Sequence, residues 1–323
     1  MDLRITHETR YDYAPAVETA QHMAHLAPLD TPCQTVLHHR LEITPAPTQQ
    51  QQTTDIYGNQ RCFFSLQTPH TALQVVACSE VRTRAPRRVQ SSIGWETLRE
   101  QFRYHAGAPW QAATEFSFAS ARAPRHEALA AYARPSFAPG TSALSAACGL
   151  MQRIHHDFLY EAQSTEVHTS PLEALAQRKG VCQDFAHIML GCLRSMGLAA
   201  RYVSGYLLTT PPPGQPRLVG SDASHAWVSV FLPDLPEGQG WYDLDPTNNR
   251  HGWGTPGEDY VTLATGRDYA DISPIRGVIH GGGQHTLAVA VTVEPIHTTM
   301  PHEAGAQPDP AWKWDLSKPV ASD

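Results

Sequence analysis

The segment "RKGVCQDFAHIMLGCLRSMGLAARYVSGY" sets a cysteine, Cys182, directly after Gly180 and Val181 and at the head of a stretch with helical spacing. Apolar residues at Cys182, Phe185, Met189, Cys192 and Met196 follow steps of three and four, which trace one helix face. A thiol at the first turn of a helix lies near free N–H groups and the positive end of the helix dipole. Both favour the thiolate, the nucleophilic form of cysteine. Cys192, deep in the same helix, has no such field. The bland alternative for Cys182 is a small apolar residue in the core, so the chemical reading needs a base within reach.

His187 lies five residues further on. That is about 500° of helix, or about 140° around the axis, so it points away from the thiol and reads as a packing or hydrogen-bonding residue. His225 opens the run "HAWVSVF" after the turn-rich "GSDAS". A histidine at a strand mouth can face a cleft in a fixed orientation. A carboxylate would then hold the ring and favour its cationic form. Asp222, Asp243 and Asp245 are the candidates. In "WYDLDPTN", strand alternation puts Trp241, Asp243 and Asp245 on one face, so parity does not choose between the two aspartates. Asp245 precedes Pro246, which biases it to an extended strand end, and Asp222 stands in a loop where it can touch substrate instead.

Two kinds of element must position these groups. Residues 1–85 read as a β-rich domain, from alternating runs such as "LRITHETRYDY", "LHHRLEITPA" and "HTALQVVACSEVRT". "DIYGNQRCFFSL" carries a turn at Gly58-Asn59, and "TPAPTQQQQTTD" reads as a polar connection. Residues 86–140 form a connecting segment with one helix at "RHEALAAYA". From 141 to 298 helices come first and strands afterwards, ending in "HTLAVAVTVEPI" as the closing strand of a core. Ser170, Pro171 and Gly180 frame the helix before the cysteine as N-cap, first residue and terminator. Residues 299–323 read as a loose tail. This order predicts an α+β fold rather than a βαβ parallel sheet.

Composition narrows the classes. The chain has 323 residues, 41% of them apolar, and a formal net charge of −7, which argues against a nucleic-acid or anionic-membrane binder. No run of 18 apolar residues and no basic-then-apolar leader is present, and the six cysteines make no CxxC pair. The expectation is a cytoplasmic protein with reduced thiols. No Walker loop, HExxH, dinucleotide fingerprint or GxSxG elbow appears.

"GVCQDFAHIML", "ASHAWVSVF" and "DPTN", in this order, resemble the transglutaminase-like superfamily. Residues 1–85 look like the β-rich N-terminal domain of its bacterial members, and the likeness covers all but the last 25 or so residues. The resemblance implies a papain-like core in which the cysteine helix packs on an antiparallel sheet. It implies Cys182, His225 and Asp245 as the catalytic set, so the family pattern selects the aspartate that parity left open. It implies acyl transfer from an amide through a thioester, on a peptide, protein or polyamide, with no cofactor and no metal. The tryptophan that completes the oxyanion hole in animal transglutaminases has no counterpart at the usual distance before the cysteine. Tyr160 is the expected cleft residue there, against an equal case for an ordinary core tyrosine, and Trp227, two residues after His225, is an expected cleft wall. Trp241 and Trp253 are candidates to stand opposite. Three functions follow: hydrolysis by a peptidase or amidase, transamidation of glutamine with an amine, and peptide binding without catalysis. The intact set of three disfavours the last, and the bacterial relatives favour hydrolysis. Oligomeric state is left open.

Overall fold

The computed structural model describes residues 1–103, 105–107, 111–161, 169–209, 224–235 and 240–296. The chain begins with an unusually long strand, β1 (Asp2–Ala24), in which Leu3, Ile5, His7 and Thr9 are buried and the residues between them partly exposed. β2 (Gln34–Thr44), β3 (Gln49–Thr54), β4 (Gln60–Leu66) and β5 (His70–Thr83) join it in an antiparallel sheet of order β2-β5-β1-β4-β3. Half of the polar stretch expected as a connection, Gln49–Thr54, is therefore strand β3. Its side chains are almost all exposed, so no apolar alternation marked it, and its backbone ladder with β4 holds it as an edge. The turn at Gly58-Asn59 is present: the Asp55 carboxylate accepts the N–H groups of Tyr57 and Asn59 at 2.8 and 2.9 Å.

Residues 86–140 are not a mere connection. They contain α1 (Trp95–Gln101) and α2 (Glu127–Ala133), whose Trp95, Leu98 and Leu129 belong to the main apolar core. α3 (Ala143–Asp157) follows, capped by Ser142, then the short β6 (Leu159–Tyr160). α4 (Pro171–Gln177) starts with a full capping box between Ser170 and Glu173. It ends two residues earlier than its glycine suggested: Arg178 takes the left-handed conformation (φ 55°), and Gly180 sits in β7 (Lys179–Gly180), parallel to β6. α5 (Cys182–Ser195) comes next.

The second sheet consists of β8 (Ala200–Leu207), β9 (Ser224–Phe231), β10 (Trp241–Asp245), β11 (Arg250–Trp253) and β12 (Tyr260–Gly266). It is antiparallel, in the order β11-β10-β9-β8-β12. One face, with Tyr202, Ala226, Val228, Val230 and Leu244, packs in the same core as Phe185, Ile188 and Met189 of α5. The cysteine helix thus lies on an antiparallel sheet, as the α+β expectation required.

The last strands correct the predicted boundary at the C-terminal side. β13 (Ile275–Gly281) and β14 (Gln284–Pro295) leave the core and pair with β1. β14 flanks the first half of β1 opposite β5, and β13 flanks its second half opposite β4. The "HTLAVAVTVEPI" run is a strand, but it closes the N-terminal sheet. Alternation marks a strand without naming its partner, and this partner is hundreds of residues away.

The two sheets are joined by an apolar layer of Leu3, Ile5, Val81, Val291 and Val293 against Tyr206, Val261 and Leu263. Two buried amides complete the seam. Gln34 accepts the Thr262 N–H at 2.7 Å and donates to the Thr262 carbonyl at 2.8 Å. Asn59 does the same with Thr265, at 2.8 and 2.7 Å. Side chains of one sheet thereby satisfy the open edge of β12 in the other.

Candidate active site

The "GVC" motif has a local physical reason. The Asp184 carboxylate, in the first turn of α5, accepts the Val181 N–H at 2.9 Å. A Cβ on residue 180 would stand 2.7 Å from that carboxylate oxygen, so the tight entry to the helix requires glycine. This entry leaves Cys182 at the first helical position, on the wall of a cleft of about 230 Å³ that His225 also lines.

His225, at the mouth of β9, is buried. Its Nε2 lies 2.7 Å from Asp245 Oδ2, and its ring shares the cleft wall with Cys182. Burial alone would strip the imidazolium of its proton. The Asp245 and Cys182 partners outweigh that penalty and push the histidine up to about 10. Beneath the ring, Trp227 is fully buried and packs edge-on against Tyr260, with centroids 5.5 Å apart. Gly205, paired with His225 across the sheet, makes this possible, because a Cβ there would overlap the Trp227 ring and the Val261 carbonyl.

Asp245 ends β10, and the "DPTNN" turn folds back over it. Its Oδ1 accepts the N–H groups of Thr247 at 2.8 Å and Asn248 at 3.3 Å. Its Oδ2 accepts from the Asn248 amide at 2.8 Å and the Tyr260 hydroxyl at 2.7 Å, besides His225. Burial would raise this carboxyl, but the His225 hydrogen bond and charge, with Tyr260 and Asn248, hold it below its ordinary value. Asp243, two residues earlier on the same strand face, turns to a different neighbourhood with Ser229 as its donor, and burial raises it to about 6.

The structure therefore brings together Cys182, His225 and Asp245. Tyr160 flanks the site half-exposed, its ring 6.3 Å from Phe185, with burial and the nearby Cys182 both raising its phenol. Trp227 does not face the cleft as expected; it forms the floor under the histidine. Asp222 lies outside the described residues. His187 is a buried acceptor for the Tyr269 N–H at 3.3 Å, consistent with its position on the far side of α5. Two functional neighbours escaped the sequence reading. Asn248 was inside the "DPTN" motif but carried no assigned role. Tyr260 comes from a strand that had not been foreseen. Among the described residues no cluster of His, Cys, Asp and Glu is arranged to hold a metal ion. No described helix is long and apolar enough to cross a membrane.

Comparison with known proteins identifies the family. Residues 3–82 match the bacterial transglutaminase-like N-terminal region, and residues 130–246 match the transglutaminase-like superfamily. An uncharacterized protein of Mycobacterium tuberculosis is 38% identical over 93% of this chain and 94% of its own length. The protein-glutamine gamma-glutamyltransferase of Pseudomonas aeruginosa is 33% identical over 38% of this chain, and only 18% of that protein is covered. The fold resembles a solved structure from Cytophaga hutchinsonii, provisionally assigned as a cysteine protease, with TM-score 0.69 and 20% identity over 93% of this chain and 92% of that one. With a near-full-length relative at this identity and both regions matched, the chain belongs to the transglutaminase-like superfamily and carries its bacterial N-terminal region.

Proposed function

We propose that this protein is a cysteine-dependent hydrolase of amide bonds that works through a thioester. The observation that carries the reading is the buried His225, held by Asp245 at 2.7 Å and lining one cleft with Cys182. Cys182 Sγ attacks the amide carbonyl, and the backbone N–H groups at the first turn of α5 stabilise the oxyanion. The C–N bond breaks as the His225 imidazolium gives its proton to the leaving amine. The neutral ring then takes a proton from water, whose oxygen attacks the thioester. The C–S bond breaks, the acid leaves, and the thiolate–imidazolium pair returns.

Hydrolysis is favoured over transamidation by what lines the cleft. A transamidase must exclude water at roughly 55 M, its ordinary concentration as the solvent, with a dry channel for the amine. Of the tryptophans that were candidates for such a channel, Trp227 and Trp253 are buried and Trp241 lines a different cavity. The second reading, transfer to an amine, has the matched glutamyltransferase segment in its favour.

Thiol selectivity tests the first step. Burial pushes Cys148 up to about 12 and also raises Cys33, Cys62 and Cys192. Brief iodoacetamide treatment at pH 6, mapped by mass spectrometry, should label Cys182 ahead of these four and of Cys78 on β5; preferential labelling of another cysteine refutes the assignment. Partition between water and an added primary amine tests the second step. Predominant ligation at millimolar amine would replace hydrolysis by transamidation.

A further inference from the structure

The wall of the cleft opposite the cysteine helix comes from the N-terminal sheet. In the β1–β14 pairing, Tyr11 faces Leu287, Thr9 faces Val289 and His7 faces Val291. All six therefore share one sheet face. His7, Thr9 and Val291 are buried at the inner end, whereas Leu287 and Val289 remain 54% and 52% exposed at the outer end. Both line the same cleft as Cys182, with Tyr11, Tyr269 and Ile275 nearby. The result is an apolar ramp that runs from solvent towards the thiol.

The charge on this surface is as informative as its shape. Among the described residues lining the cleft there is no Asp, Glu, Lys or Arg. His7, which burial lowers to about 4, is neutral at physiological pH. Away from the His225–Cys182 pair, a charged substrate group lying on the β1–β14 face would lose water and gain no counter-ion. An aliphatic or aromatic group would cover Leu287 and Val289. A cavity of about 150 Å³ holds one benzene ring; the cleft of about 230 Å³ therefore has room for one such side chain beside the reacting amide.

We infer that the β1–β14 face is the specificity surface of the enzyme, and that it selects substrates with an uncharged aliphatic or aromatic side chain next to the scissile amide. This rests on the nucleophilic role proposed for Cys182. The test uses two sets of Cys-directed probes with the full-length protein. N-acyl aminoacyl chloromethylketones carry Leu, Phe, Asp or Lys on the acyl side. N-substituted bromoacetamides carry isobutyl, benzyl, carboxyethyl or aminoethyl groups on the leaving side. Second-order rates of Cys182 modification are divided by the iodoacetamide rate of the same protein. In at least one set, the apolar members should outpace the charged ones by roughly ten- to a hundredfold. That preference should shrink severalfold in the double variant Leu287→Thr/Val289→Thr, whose melting temperature reports retained folding. Equal rates for apolar and charged probes in both sets would overturn the inference, as would a preference that the double variant leaves intact. Failure of iodoacetamide itself to label Cys182 would instead refute the nucleophile and take this inference with it.

Discussion

Strand β10 contributes to two regions that differ in almost everything except burial. At its C-terminal end Asp245 stands behind the cleft of Cys182 and His225. Two residues earlier, on the same face, Asp243 lines a larger cavity of about 370 Å³ with Arg201 and Trp241. Both aspartates are buried. Asp245 collects five hydrogen bonds and remains a carboxylate below its ordinary value. Burial dominates Asp243 and raises it, with Ser229 and the Arg201 charge only partly compensating. The number of donors, not depth, decides in which direction each buried acid moves from its ordinary value. The larger cavity, moreover, has no cysteine or histidine among its described lining residues, so size alone would have pointed to the wrong region.

The largest effect that could break this contrast is loss of the ion pair itself. His225→Ala should abolish amide turnover, by more than about a thousandfold, because the acid and the base of both half-reactions disappear together. Circular dichroism would separate lost chemistry from unfolding. Asp245→Asn should cost about two to four orders of magnitude in turnover with the fold retained, through wrong ring tautomer and orientation. Asp243→Asn should stay within about tenfold of the parent. If the two variants fall together, the distinction between the regions fails.

The pH dependence sharpens it. His225 stands at about 10, above the 6.5 of a free imidazole. The protonated ring therefore persists from neutral pH upward, and the alkaline limb of turnover should fall near pH 10. Asp243 runs the other way for an acid, raised from 3.8 to about 6. The folded state then holds that proton more tightly than the unfolded chain. Its stabilising contribution is complete below pH 3.8 and is lost as pH rises through about 6. Denaturant midpoints should show this as a decline of up to about 3 kcal/mol between pH 4 and 7, which Asp243→Asn flattens. The smallest expected change is Tyr260→Phe. It removes one of the five donors to Asp245 and should lower turnover only a few-fold, about 1 kcal/mol. A loss as large as that of Asp245→Asn would mean that the donors act as one indivisible unit.

What could be read from residues alone followed the range of each signal. α5 and its thiol were legible because a cap glycine, a helical stripe and a first-turn cysteine are local. β9 and the start of β10 were legible by alternation. The choice between Asp243 and Asp245 was not, since both share a face; it required the family pattern, and the structure shows the cause in the turn that follows Pro246. β3 was invisible because its side chains bury nothing. Trp227 shared parity with His225, as read, yet parity does not say whether a face opens to solvent or is covered. Tyr260 had no local mark at all. Its relevance exists only because β12 pairs with β8 and brings the hydroxyl under Asp245.

The return of β14 to β1 also sets the order of events when the chain is made. The cysteine helix, the histidine strand and the aspartate turn are all complete by residue 248, while the outer wall of the cleft waits for residues 284–295. At ribosomal speeds the end of β14 emerges on the order of 15 to 60 s after β1. Until then β1 holds one unpaired backbone edge along its first half, and its closing partner is the most distant strand pairing among the described residues. On the roles proposed above, a nascent chain can thus possess Cys182, His225 and Asp245 before the surface inferred to select substrates is formed. On the inference drawn above, selectivity arrives only with β14.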